Sequence, residues 1–183
     1  MTGVEFRAMR FTKAVLVVAM LTAIVPEAWS VTVTASATVT INVTFTQPSC
    51  DIQVPSSYNL GFLVQGEQNK EHAPLNITWT CEGNTPLKTA LTAAIVKGTA
   101  SGNEKVVLQT DSGADTGATL SLKEKKTGSL IKLTGPDGGN PFCSDEKEDT
   151  GMRTCTLIPV TDVSRDGALG MASARLKFEV AYL

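Results

Sequence analysis

Residues 31–45 read Val31-Thr-Val-Thr-Ala-Ser-Ala-Thr-Val-Thr-Ile-Asn-Val-Thr-Phe45, an unbroken alternation of apolar and polar side chains. Successive side chains of a β-strand point to opposite faces, so this pattern predicts a strand with one apolar face and one polar face. Fifteen residues is long for a strand, because strands usually have about 5–6 residues. The apolar row consists of Val31, Val33, Ala35, Ala37, Val39, Ile41, Val43 and Phe45.

Two further stretches alternate with the same period. Leu75-Asn-Ile-Thr-Trp-Thr-Cys81 places Ile77, Trp79 and Cys81 on one face. The apolar face of the carboxyl-terminal stretch consists of Ala172, Ala174, Leu176, Phe178, Val180 and Tyr182. Weaker strand patterns lie at residues 58–64, 89–97, 106–109, 119–123 and 154–160. Because Gly- and Asn-containing turns separate these short strands, we predict an all-β sandwich.

The first 30 residues have the pattern of a secretory signal peptide. Arg7, Arg10 and Lys13 form a basic start, and residues 14–25 are an apolar run interrupted only by a threonine. This run is shorter than the roughly 20 residues of a membrane-spanning helix. We therefore predict a signal peptide over residues 1–30 and a mature chain that begins at Val31. An amino-terminal membrane anchor is the alternative.

The composition offers little material for catalysis or metal binding. The 183 residues have a net charge of −2 and a single histidine, His72. We predict that the chain is not an enzyme and has no catalytic residues, no metal and no cofactor. Since no basic stripe is present, we expect no nucleic-acid partner. The four cysteines, which show no CxxC spacing and allow three pairings, are Cys50, Cys81, Cys143 and Cys155.

The amino-terminal alternating stretch has a physical consequence for the whole chain. It presents a row of apolar side chains and a complete set of backbone donors and acceptors ahead of Cys50. Left unpaired in water, such a strand is an aggregation hazard. It must therefore pair with the sheet of its own chain or be lent to a neighbouring molecule.

The chain resembles the chaperone–usher pilins, the Fimbrial family of Gram-negative surface fibres. An alternating extension precedes Cys50, and Cys81 follows at the end of the next buried strand. Leu60-Gly-Phe62 lies between the two cysteines, where such pilins often carry an apolar segment. The most specific signal is the ending, an alternating strand with a penultimate Tyr182 and with Gly170 as the fourteenth residue from the end.

This resemblance implies an incomplete immunoglobulin-like β-sandwich that is completed by a donor strand from a neighbouring subunit. Residues 31–48 would be the donor extension, with the apolar row named above as the donor strand, and residues 49–183 the pilin domain. The missing strand would leave an apolar acceptor groove, which also binds the chaperone. The residues that the resemblance assigns to this groove are Gly170, Leu176, Phe178, Val180, Tyr182 and Leu183.

The resemblance also implies a role as a structural pilus subunit, at the rod or the tip, that supports cell adhesion. The expected partners are a periplasmic chaperone, an outer-membrane usher and neighbouring pilin subunits, with a host receptor as a further candidate. The chain would be exported through the periplasm to a fimbrium at the cell surface. Two alternatives stay open: an adhesive subunit that binds a receptor directly, and a free secreted immunoglobulin-like domain.

Within this scheme we expect a disulfide between Cys50, where the sandwich starts, and Cys81, at the end of an inward-facing strand. By remainder, Cys143 would pair with Cys155, a pair outside the usual pilin pattern. It would close residues 144–154, a loop with four acids and two bases. A solvated hairpin tip is favoured there over a receptor surface or a cation site. The extension also departs from many pilins, because its apolar row contains no glycine.

Overall fold

The computed structural model describes residues 39–43, 48–138 and 140–183. The chain divides into two compact units, Met1–Val43 and Thr44–Leu183. In the first unit, residues 39–43 form neither helix nor strand, and the side chains of Val39, Ile41 and Val43 are 78–80% exposed. The predicted signal peptide lies outside the described residues, as do five members of the predicted donor strand, namely Val31, Val33, Ala35, Ala37 and Phe45.

The second unit is all-β, as predicted. Its described strands are β1 (Cys50–Gln53), β2 (Lys70–Glu71), β3 (Leu75–Cys81), β4 (Thr89–Lys97), β5 (Thr99–Ser101), β6 (Lys105–Thr110), β7 (Asp115–Glu124), β8 (Arg153–Val163), β9 (Ala172–Ser173) and β10 (Arg175–Tyr182). A single 3-10 turn occupies Pro136–Gly138. Within the described ranges, no helix is long and apolar enough to cross a lipid bilayer.

The strands form two antiparallel sheets that enclose one main core. The larger sheet has the order β1-β3-β8-β7-β6-β5, with β2 on β8 and β9 on β6, and the smaller sheet pairs β10 with β4. The alternation of β3 explains how the core forms, because Ile77 and Trp79 are buried while Asn76 and Thr80 are exposed. Leu91 of β4 packs into the same apolar cluster from the smaller sheet.

One predicted strand, residues 58–64, is absent. Asn59 Oδ1 accepts a hydrogen bond from the N–H of Gly61 at 2.8 Å, and Gly61 has φ of +73°. A side chain that bonds to nearby backbone competes with a strand ladder, and a positive φ interrupts the extended conformation. The segment is instead an irregular loop whose Leu60 and Leu63 pack against a smaller apolar cluster.

Two glycines meet where β7 passes the loop that follows β8. A Cβ atom built on Gly117 would lie 2.6 Å from Gly167 Cα, and one built on Gly167 would lie 2.4 Å from Gly117 N. The N–H of Ser164 donates to the carbonyl of Gly117 at 2.8 Å, which fixes this approach. Since backbone atoms occupy the space, neither position has room for a side chain.

We expect Gly167→Ala to lower the free energy of unfolding by about 2 kcal/mol, since overpacking against backbone forces a shift of the chain. The matched control is Gly151→Ala, whose added Cβ would lie 3.4 Å from the Asp149 side chain. Urea unfolding followed by circular dichroism measures both variants. Equal urea midpoints for the two variants would contradict the close approach of Gly117 and Gly167.

Candidate functional site

Within the described ranges, the strand β10 forms ladder hydrogen bonds along one edge, with β4. Phe178 lies opposite Ala93 of β4, and Val180 lies opposite Leu91. Leu91 exchanges both of its backbone hydrogen bonds with Phe142, each at 2.9 Å, on the side of β4 that faces away from β10. Opposed residues of an antiparallel pair alternate between sharing hydrogen bonds and not sharing them. The N–H and C=O groups of Phe178 and Val180 therefore point to the other edge of β10.

That other edge carries no partner strand in the described part of the chain. Among the described residues, no strand pairs with β10 except β4. Side-chain direction and hydrogen-bond direction both alternate with a period of two along a strand. Residues whose side chains point to the same face therefore also direct their backbone groups to the same edge. Leu176, Phe178 and Val180, whose side chains pack against the core, thus also direct their backbone groups to the free edge.

A groove of about 800 Å³ runs along the amino-terminal half of β10. Leu176 and Phe178 form one side of it, and residues 54–63 and 167–173 form much of the rest. Its remaining apolar lining comes from the larger sheet and includes Leu75, Leu108, Ala118, Leu120 and Leu122. The groove is therefore an opening into the core rather than a surface depression between polar loops.

The core is incompletely covered beside this groove. Leu176, Phe178 and Val180 pack against it but are only partly buried, whereas Ile77 and Leu157 on the opposite sheet are fully buried. The ring of Phe178 meets that of Phe142 edge to face, with centroids 6.5 Å apart. One face of β10 thus contacts the core while still offering apolar surface to a further strand.

At the carboxyl-terminal end of β10, Tyr182 contacts the segment that leads into β1. The hydroxyl of Tyr182 donates a hydrogen bond to the carbonyl of Pro48 and lies 3.1 Å from Cys50 Sγ. Cys50 forms a disulfide with Cys81, which ties the start of β1 to the end of β3. These contacts join the end of β10 to the start of β1.

The six residues expected at the groove occupy different places. Gly170, Leu176 and Phe178 line it, while Val180 packs against the core beyond it and Tyr182 contacts Pro48 at the end of β10. The side chain of Leu183 is 57% exposed, and its N–H donates to the carbonyl of Lys88 at 2.9 Å. The lining loop at residues 54–63 was missed by sequence reasoning, which treated its apolar residues as a strand.

Gly170 is needed for its backbone conformation. Its φ is +132°, a region that side-chain-bearing residues rarely adopt, and no atom lies within 4 Å of a Cβ built there. The glycine separates Leu169 and Met171, whose side chains are 79% and 85% exposed. Crowding is therefore not the reason for glycine at this position.

The second disulfide joins Cys143 to Cys155, and the loop between them is fastened to the core by a buried ion pair. Asp145 accepts hydrogen bonds from Arg153 Nε at 3.0 Å and from the backbone and hydroxyl of Thr89 at 2.9 and 2.7 Å. The same hydroxyl accepts a bond from Trp79 Nε1 at 2.9 Å. Asp145 and Arg153 therefore serve the fold.

Two other acids of this loop also have structural partners. Glu146 pairs with Lys126 at the surface, where both side chains are well exposed. Backbone N–H groups of Gly151 and Thr150 hold the pKa of Asp149 below its usual value. Among the residues that the structure describes, no group of three or more His, Cys, Asp or Glu side chains could hold a metal ion.

Removing the buried carboxylate should be far more costly than removing its exposed neighbour. We expect Asp145→Ala to lower the free energy of unfolding by about 3 kcal/mol, because it removes the carboxylate that neutralises the buried charge of Arg153. Glu146→Ala, which breaks an exposed pair, should cause no measurable change. Urea unfolding at pH 7 compares the two. A receptor or cation site built on this loop would not predict such a contrast in stability.

The fold is similar to that of the P pilus rod subunit PapA in its crystal structure. The two match with a TM-score of 0.51 and 15% sequence identity, over 73% of this chain and 99% of that chain. This likeness shows an immunoglobulin-like fold of the pilin type. Neither a protein-family model nor a curated protein matches the sequence.

Proposed function

We propose that this chain is a structural subunit of a chaperone–usher pilus, and that it polymerises when the amino-terminal extension of one copy enters the groove of the next. The free edge of β10 carries this proposal. Leu176, Phe178 and Val180 direct their partly buried side chains to the core and their backbone N–H and C=O groups to the edge of β10 that faces away from β4. A strand with alternating apolar side chains satisfies both needs at once.

The extension has the complementary pattern. Its apolar row alternates from Val31 to Phe45, and Val39, Ile41 and Val43 expose about four-fifths of their side chains. Each apolar side chain that moves from water into the groove contributes roughly 1.5–3 kcal/mol to binding. Four or five such side chains, together with a backbone ladder, would give a joint that dissociates slowly.

A subunit of this kind needs a temporary partner before the next copy arrives. An open apolar groove beside a free strand edge is an aggregation hazard. A periplasmic chaperone that lends a strand would cover it, and an outer-membrane usher would exchange that strand for the extension of the next subunit. The predicted signal peptide, residues 1–30, fits export through the periplasm to a fimbrium at the cell surface. The pilus rod subunit of similar fold supports the same assignment.

A pair of complementary variants tests the proposal. One variant lacks residues 31–45 and keeps the groove, and the other keeps the extension but carries Leu176→Asp, which places a charge in the groove. Neither should form oligomers alone, while a mixture should form a one-to-one dimer and nothing larger. Size-exclusion chromatography with light scattering measures the masses, and circular dichroism with thiol titration verifies that each variant is folded and oxidised.

The matched control is Lys177→Asp, which changes the adjacent residue on the opposite face of β10. Its side chain is 58% exposed and pairs with Glu179. This variant should oligomerise like the unmodified chain, because the charge does not face the groove.

A second test of the groove attaches a copy of residues 31–45 after Leu183 through a flexible linker. This variant should be a stable monomer, because the attached segment fills its own groove. Oligomers formed by the variant without residues 31–45 would refute the exchange.

A further inference from the structure

Two basic residues lie side by side where β10 begins. Arg175 is the first residue of β10 and lies directly opposite Lys97, the last residue of β4. Like charges that oppose each other on neighbouring strands repel and destabilise the strand pair. Lys97 Nζ donates a hydrogen bond to Ser173 Oγ at 3.0 Å, and within the described ranges neither basic residue forms an ion pair. We call Lys97 and Arg175 the basic pair.

The basic pair lies beside the groove. Arg175 lines the groove together with Leu176, which follows it in β10. The next basic residue of the strand, Lys177, differs from the basic pair, because its Nζ pairs with Glu179 at 2.6 Å. The positive charge that has no acidic partner in the described part of the chain is therefore concentrated where β10 begins.

Two acidic residues lie near the point where the amino-terminal extension joins the body of the protein. Asp51 of β1 lies opposite Thr80 of β3, and the N–H of Glu82 donates to the carbonyl of Ser49 at 2.7 Å. This register makes Asp51 and Glu82 diagonal neighbours on one face, with Cβ atoms about 7 Å apart. Both are exposed, and neither has a basic partner among the described residues. We call them the acidic pair.

The extension itself carries no charge that a partner could recognise. Residues 31–48 contain no Asp, Glu, Lys or Arg, and the first charged residue after them is Asp51. Glu82 lies next to Asp51 in space because β1 pairs with β3. When the extension of one copy enters the groove of another, the acidic pair is therefore the nearest charge that follows it.

The two ends of β10 offer different charges to an incoming acidic pair. Where β10 ends, the Tyr182 hydroxyl lies 3.1 Å from Cys50 Sγ, so the acidic pair of the same copy is close by. Acids brought to that end would meet acids and be repelled. Where β10 begins, the same acids meet Lys97 and Arg175, and opposite charges attract and steer the encounter of two proteins.

On these grounds, and resting on the strand exchange proposed above, we propose that the basic pair of one copy forms ion pairs with the acidic pair of a second copy. The contact joins the bodies of two subunits and is separate from the apolar contact between extension and groove. It relieves the repulsion between Lys97 and Arg175 and supplies a charged partner for Asp51 and Glu82. Its main effect is on the rate of association, because exposed ion pairs contribute little to stability.

Charge reversal in the two complementary variants described above tests this contact. The acceptor, which lacks the extension, receives Lys97→Glu with Arg175→Glu, and the donor, which keeps it, receives Asp51→Lys with Glu82→Lys. Reversal of one side alone should slow association about tenfold at low ionic strength, because attraction becomes repulsion, and reversal of both sides should restore the rate. In about 1 M salt, where the Debye length is about 3 Å, the differences should disappear. Stopped-flow fluorescence energy transfer between labelled donor and acceptor measures the rates.

The matched control is an acceptor with Lys125→Glu and Lys147→Glu, which has the same change in net charge. Both lysines are exposed and lie outside the groove lining. This acceptor should bind the unmodified donor much faster than the acceptor with the reversed basic pair does. Reversal of the basic pair keeps two like charges opposite each other, so it should not disturb the fold, which urea unfolding verifies.

A carbodiimide, which joins amines to carboxylates in direct contact, gives an independent readout. In the complex of acceptor with isotope-labelled donor, it should link Lys97 to Asp51 or Glu82 of the labelled chain, which peptide mass spectrometry identifies. Donor acids linked only to other lysines, equal slowing in the control, or no recovery when both sides are reversed would overturn the ion pairs while leaving strand exchange intact. If the unmodified donor and acceptor did not associate, both proposals would fall.

Discussion

In a strand at the border of a sheet, the backbone groups of one edge have hydrogen-bond partners and those of the other edge have none. In the described part of this protein, the unpaired edge of β10 faces an opening into the core. Because hydrogen-bond direction and side-chain direction alternate together, Phe178 and Val180 direct backbone groups to the free edge while their side chains contact the core. A partner that restores the ladder also fills the groove. The backbone requirement and the apolar requirement therefore select the same kind of partner, an extended strand of period two.

The groove is a preformed feature because rigid contacts hold its surroundings. The contact of Tyr182 with Pro48 joins the end of β10 to the segment before β1, and the disulfide between Cys50 and Cys81 fixes β1 on β3. On the larger sheet, the approach of Gly117 to Gly167 brings the loop after β8 against β7. A partner strand thus meets a shaped surface and loses little free energy in ordering it.

The two disulfides have different relations to the groove. Cys50–Cys81 lies beside Tyr182 at the end of β10, whereas Cys143–Cys155 fastens a loop whose Asp145 bonds to β4 and β8. The acidic character of that loop suggests a binding surface when only the sequence is considered. Its central carboxylate is nevertheless turned inward to a buried arginine, since a charge inside a protein needs a partner.

The alternation of apolar and polar residues allowed several features of the fold to be predicted from the sequence alone. The bounds of β3, the inward face of β10 and the all-β class follow from a period of two, because side-chain direction is a local property of an extended chain. The expected disulfide pairing is also present.

What tertiary structure decided was which strand edges stay free and which side chains share an opening. Phe62, Leu169 and Met171 come from distant parts of the chain, and only the packing of two loops places them around one groove. The irregular course of residues 58–64 likewise depended on a side-chain hydrogen bond at Asn59 and on loop packing against another cluster, neither of which a periodic pattern records.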